Sequence, residues 1–88
     1  MARFLAVCSQ PGVNEAKFKE SLGAFKKWRP DRWTFVTKAY ACSDGLVVAE
    51  CEARQKGDFE QWLKGTGWKV ESIHQVDVIH ESGQLWKV

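Results

Sequence analysis

Apolar and polar positions follow two periods along the chain, and the switches between them mark its elements. Residues 3–9, RFLAVCS, form a nearly continuous apolar run closed by Gln10-Pro11-Gly12. Such a run suits a central strand buried on both faces. Over residues 14–28 the period becomes helical: Phe18, Ser21, Leu22, Phe25 and Trp28 share a stripe, and Lys17, Glu20, Lys26 and Lys27 lie mostly off it. Asn14 can cap this helix, and Arg29 before Pro30 predicts its end. Residues 33–42, rich in β-branched and aromatic types, predict a second strand, and LVVAECEA at 46–53 a third. Ser43-Asp44-Gly45 between them is a hairpin signal.

The hairpin register follows from the same pattern. A three-residue loop with Gly45 in the left-handed position pairs Cys42 with Leu46 and Lys38 with Glu50. Strict alternation then puts Trp33, Phe35, Thr37, Ala39, Ala41, Val47, Ala49, Cys51 and Ala53 on one face. Val36, Lys38, Tyr40, Leu46, Val48, Glu50 and Glu52 fall on the other. A two-residue loop would mix the two glutamates into the apolar set. GDFEQWLKG at 57–65 predicts a short helix, with Asp58 as cap, Phe59, Trp62 and Leu63 on one face, and Gly65 and Gly67 closing it. WKVESIHQVDVIH at 68–80 predicts a fourth strand, and the tail turns at Gly83 into a short edge strand at 84–88. The order is βαββαβ, a ferredoxin-like unit: an α+β fold with a four-stranded antiparallel sheet and two helices on one face.

Composition narrows the class. The 88 residues make one domain, 1–88. A chain this small buries a modest fraction of its surface, and five Trp and five Phe compensate with large side chains. A net charge of +2 gives no electrostatic reason to expect nucleic acid or a membrane as partner. The apolar run near the N-terminus is too short for a membrane span, so a cytoplasmic location is expected. Cys8, Cys42 and Cys51 are an odd set without CxxC spacing, and read as packing thiols in a reducing compartment.

Two helices cover one sheet face, best the one carrying Ala39, Ala41, Ala49 and Ala53. The other still presents Val36, Tyr40, Leu46, Val48, Ile73 and Ile79, an apolar patch that a soluble monomer rarely leaves wet. A second copy of the chain, related by a two-fold axis, is the expected cover.

On this pattern the whole chain resembles the dimeric α+β barrel superfamily, in which two ferredoxin-like protomers face their sheets together. Within it, GLVVAECEA…FEQWL…GWKVESIHQV resembles a family of small bacterial and archaeal domains of unknown function. The shared features are an acidic residue ending the third strand (Glu50 or Glu52), a Trp in the second helix (Trp62), and Val70-Glu71 opening the last strand. His74 departs from that family's pattern, so no role for it carries over. The superfamily includes cofactor-free monooxygenases, haem-degrading enzymes, lactone isomerases and stress-response proteins. The resemblance implies a pocket between sheet and helices, without selecting a chemistry.

Candidate chemistry centres on the fourth strand. Trp68, Val70, Ser72, His74, Val76, Val78 and His80 share a face by alternation, and its apolar character points it toward the helices. His74 is then the candidate catalytic residue, as general base or ligand anchor, beside Trp62; otherwise it is a hydrogen-bonded core residue. Trp33, Trp62 and Trp68 would wall a pocket for a small apolar or aromatic molecule, with Thr37, Ser72 and His74 as its polar groups. His80, six residues from His74, lies about 20 Å along an extended strand and cannot share a metal with it. No further Cys or His spacing completes a metal site, and no cofactor motif is present. KKWRPDRW at 26–33 interleaves bases and aromatics as single-strand binders do. An RNA-recognition domain has the same element order, but Glu50 and Glu52 on its would-be base-stacking face oppose phosphate. The two readings that stand are a ligand-binding dimer, with oxygenase or isomerase chemistry if it is an enzyme, and a non-catalytic binding or stress-response dimer with a filled core.

Overall fold

The computed structural model describes residues 1–23 and 28–88. The elements run β1 (Ala2–Ser9), α1 (Glu15–Gly23), β2 (Thr34–Ala41), β3 (Leu46–Ala53), α2 (Lys56–Lys64), β4 (Lys69–Val76), β5 (Val78–Glu81) and β6 (Gln84–Lys87). β1 to β4 form one antiparallel sheet in the order β2-β3-β1-β4, and β5 and β6 pair as a separate hairpin. The result is an α+β fold whose strand order is compatible with the ferredoxin-like layout. The expected fourth strand is interrupted at Asp77, and the tail strand pairs with β5 instead of extending the sheet.

Several of the sequence signals that bound the elements act as anticipated, with two shifts. α1, expected to run to Trp28, is described to Gly23. Asn14 Oδ1 accepts from the Lys17 backbone N–H at 2.9 Å, capping α1. Of the stripe expected there, Phe18 and Leu22 pack against the core, Trp28 is not helical and is exposed, and Phe25, like Lys26 and Lys27 beside the stripe, lies outside the described residues. α2 begins earlier than expected: Gln55 is its N-cap without a side-chain bond, and Asp58 sits inside the first turn, 3.5 Å from Arg54 Nε. Thr66 Oγ1 donates to the Leu63 carbonyl at 2.7 Å and accepts from the Trp68 N–H at 3.1 Å, fixing the exit into β4.

The β2–β3 hairpin has the three-residue loop. The Cys42 N–H donates to the Leu46 carbonyl at 2.7 Å, Lys38 stands opposite Glu50, and Gly45 has φ +89°. A Cβ on Gly45 would also meet Pro11 Cα at 3.2 Å, so loop conformation and close approach both require glycine there.

The core lies between the sheet and α2. Phe4, Ala6 and Cys8 of β1 and Val47, Ala49, Cys51 and Ala53 of β3 meet Phe59, Trp62 and Leu63. Phe59 and Leu63 are fully buried, each contributing on the order of 1.5–3 kcal/mol relative to an exposed side chain. Both edge strands depart from strict alternation. In β2 the register slips between Val36, opposite Cys51, and Lys38, opposite Glu50, so Thr37 is an extra residue. In β4 it slips between Val70, opposite Cys8, and Ser72, opposite Val7, so Glu71 is extra. Each bulge turns the remainder of its strand over.

Candidate functional site

The two bulges reassign the faces on which the site expectations rested. Before Thr37, Thr34 and Val36 pair with Ala53 and Cys51 and are buried toward α2, while Phe35 pairs with Glu52 on the open face. The expectation that Phe35 faces the helices and Val36 the partner is therefore corrected. Beyond Thr37, alternation resumes as expected, with Ala39 opposite Ala49 inside and Lys38 and Tyr40 outside. Before Glu71, Trp68 is buried, and Val70 pairs with core residue Cys8. Beyond it, Ser72, His74 and Val76 pair with Val7, Leu5 and Arg3 of the open face. His74 is exposed there. It does not lie between sheet and helices near Trp62, because strict alternation from Trp68 carries it through one residue too many.

The expected pocket group thus divides. Trp62 and Trp68 do meet, with ring centroids 5.9 Å apart and edge to face. Phe18 stacks on Trp68 at 5.8 Å and Phe59 on Trp62 at 6.3 Å. This aromatic row is core, and Trp68 Nε1 is buried in it with no hydrogen-bond partner. Trp33 stands apart and exposed, under the Arg54 guanidinium at 4.8 Å and beside that of Arg32 at 5.9 Å. Its backbone N–H donates to Asp31 Oδ1 at 2.7 Å, and that bond is the main cause holding the Asp31 carboxyl below its usual range. Ser72 and His74 are on the other side of the sheet.

What the fold does open beside Trp62 is a cleft of about 230 Å³ lined by Leu22, Trp28, Val36, Thr37, Lys38, Ala39 and Trp62. It lies between α1, α2 and the bulged stretch of β2. The Trp28 carbonyl accepts from the Val36 N–H at 2.6 Å, and the Trp28 ring lies 5.2 Å from that of Phe35. Thr37 Oγ1 donates to the Glu50 carbonyl at 3.2 Å, leaving its lone pairs as acceptors. Of the six residues expected around a ligand, Thr37 and Trp62 line this cleft. Trp28, Val36 and Ala39 were not anticipated there. The signal that could have found them is Thr37 itself, a polar residue within an otherwise apolar face.

A second cleft, about 200 Å³, lies on the open face. Its floor is Leu5, Tyr40 and Val48, and its charged residues are Arg3, Lys38, Glu50 and Glu81; Ile79 and His80 complete it. Arg3 pairs with Glu52 beside it, and Lys38 Nζ sits 6.0 Å from the Tyr40 ring centre. Among the described residues no three His, Cys, Asp or Glu side chains gather as a metal cluster, and no helix is long and apolar enough to cross a membrane.

No family model matches the chain, and no curated protein matches it. Among solved structures it is similar to the crystal structure of SCO4226 from Streptomyces coelicolor A3(2). The TM-score is 0.76 at 18% identity, over 90% of this chain and 100% of that one. At that identity the likeness is one of fold alone, that of a small α+β protein.

Proposed function

We propose that this chain is a ferredoxin-like protomer of a homodimeric α+β barrel, and that it acts as a non-catalytic binding module for a small, largely apolar molecule. The observation that carries the ligand reading is the Trp62 cleft. Its lining is aliphatic and aromatic apart from Thr37 and Lys38. Its volume, about 230 Å³, lies between a cavity of about 150 Å³ that takes one benzene and the roughly 300 Å³ where drug-sized sites begin. One or two fused rings match it. Catalysis is the weaker reading, because the candidate base His74 faces away from this cleft, across the sheet. The dimer reading is supported by the apolar floor of the open face, Leu5, Tyr40 and Val48.

Indole is a suitable probe of the cleft. Titrated into ¹⁵N-labelled protein, it should shift the amides of Thr37 and Ala39 and the Trp62 indole N–H in a saturable way. Ala39→Leu, which extends a side chain into the cleft, should weaken binding at least tenfold. His74→Phe should leave it unchanged. Shifts confined to the open face, or no saturation, would overturn the ligand reading and leave the dimer reading to its own test.

A further inference from the structure

The stretch WRPDRWTF at 28–35, where the chain enters β2, interleaves aromatic and basic residues. The fold gathers them into two stacked groups. The Arg29 guanidinium lies 5.3 Å from the centre of the Phe35 ring, and the Trp28 ring meets Phe35 edge to face at 5.2 Å. Trp33 has the Arg54 guanidinium over it at 4.8 Å and that of Arg32 at 5.9 Å. Trp33 and Phe35 are two residues apart, roughly 7 Å along extended chain, so the groups adjoin as one strip. Its backbone is tied down at three points. The Trp28 carbonyl accepts from the Val36 N–H at 2.6 Å, Asp31 bridges to Thr34, and Asp31 Oδ1 accepts from the Trp33 N–H at 2.7 Å.

Exposure and charge together define what fits the strip. Trp28 is 60% exposed and Trp33 41%, in a chain that buries Trp62 and Trp68. Arg3 takes up Glu52, which stands opposite Phe35, and Arg54 lies 3.5 Å from Asp58. Arg29 and Arg32 have no ion pair among the described residues, and Asp31 is the remaining carboxylate of the stretch. The strip is therefore locally positive, although the whole chain carries only +2. Its complement is an anion with flat faces to lay on rings. A single nucleic-acid strand offers that combination at every nucleotide, whereas a duplex hides its base faces. Guanidinium groups held against rings are themselves surfaces on which bases stack. The glutamates that oppose phosphate elsewhere on the sheet do not reach this conclusion's ground: Glu52 is held by Arg3, and Glu50 stands opposite Lys38, beyond the Thr37 bulge.

We infer that the strip from Trp28 to Phe35, with Arg54, is a docking site for single-stranded nucleic acid. Bases stack on Trp28 and Trp33, and Arg29 and Arg32 hold two phosphates. The site discriminates little between sequences, because it presents ring faces and charge. It goes beyond the small-molecule reading and does not depend on it.

The test is fluorescence anisotropy of a fluorescein-labelled ten-nucleotide oligothymidylate, titrated with the full chain in 50 mM salt. Binding should saturate, and should weaken about sevenfold at 200 mM salt, as two phosphate contacts on a single strand require. Trp33→Ala should raise Kd at least fivefold, the lower end of what one stacked base contributes. Arg29→Gln with Arg32→Gln should leave binding weak and nearly independent of salt. Lys69→Gln, which removes an exposed charge on β4 at the far edge of the sheet, should change Kd less than twofold. None of these variants alters Trp28, which also lines the Trp62 cleft. Circular dichroism should show each of them folded; if Trp33→Ala is not, the exposed arginine pair carries the test. Absence of saturable binding at 50 mM salt, equal binding of a duplex of the same length, or a folded Trp33→Ala protein that binds as the unaltered chain does would each overturn the site. A glutamate–tyrosine copolymer that binds where oligothymidylate does not would assign the strip to an acidic protein partner instead.

Discussion

Cys8 and Cys51 show how burial sets chemistry at single residues. Each lies wholly inside, on the α2 side of a central strand. Desolvation, aided by the charge of Glu71, pushes the Cys8 thiol from 9.0 up to about 11. Desolvation likewise pushes Cys51 up to about 12. Thiolates are the reactive form, so both should resist alkylation, whereas Cys42 is only half-buried, at the mouth of the hairpin loop. Ellman's reagent at pH 8 should modify one thiol in the native protein, Cys42, and all three in denaturant. The sign of the pH dependence follows. Above pH 9 the unfolded chain releases these two protons while the fold retains them, so ν_U falls below ν_N. Stability should be indifferent to these groups below about pH 8 and decline between about 9 and 12. Urea midpoints that rose across that window would contradict the burial of the thiols.

The decisive local events at the scale of elements are the two bulges. Thr37 lets β2 turn buried Val36 and partly buried Ala39 to one side although their separation is odd. Glu71 likewise puts buried Trp68, exposed Val70 and partly buried Ile73 on the α2 side of β4. Deleting Glu71 would restore strict alternation and force either Trp68 with Val70 or Ile73 out of the core side. The expected cost is about 3–5 kcal/mol, comparable to losing a large core side chain. Glu71→Ala, which keeps the extra backbone residue, should cost no more than about 0.5–1 kcal/mol. Urea denaturation of the two variants separates the cases, and equal losses would mean that the bulge does not set the faces.

On the scale of the whole molecule, one layer is complete and one is open. α2 and the sheet enclose the core, while the other sheet face carries Tyr40, Val48 and Leu5 beneath an incompletely seated hairpin. If a second copy covers that face, light scattering at micromolar concentration should give twice the chain mass of 10.0 kDa. Glu50→Lys should weaken the assembly, because Lys38 stands directly opposite Glu50 on the adjacent strand and the change sets like charges face to face. A Glu50→Lys protein that remains dimeric at the same dilution would show that this pair has no part in the interface.

The amino-acid sequence by itself determined the order of the elements as far as β4, because that depends on local signals. Asn14 caps α1, Gly45 supplies the left-handed turn residue, and the hairpin register with Lys38 opposite Glu50 follows from loop length. The aromatic contact of Trp62 with Trp68 was legible too, since helix period and strand entry both point inward. Only the tertiary structure decided which way the edge strands face. A period of two carries no memory of an inserted residue, and whether Thr37 or Glu71 bulges is settled by pairing with Cys51 and Cys8 on neighbouring strands. That single parity moved His74 and Ser72 to the open face and brought Val36 beside Trp62. The break at Asp77 was likewise invisible in a run that alternates through it; the separate β5–β6 pairing in space turned its far end into a hairpin.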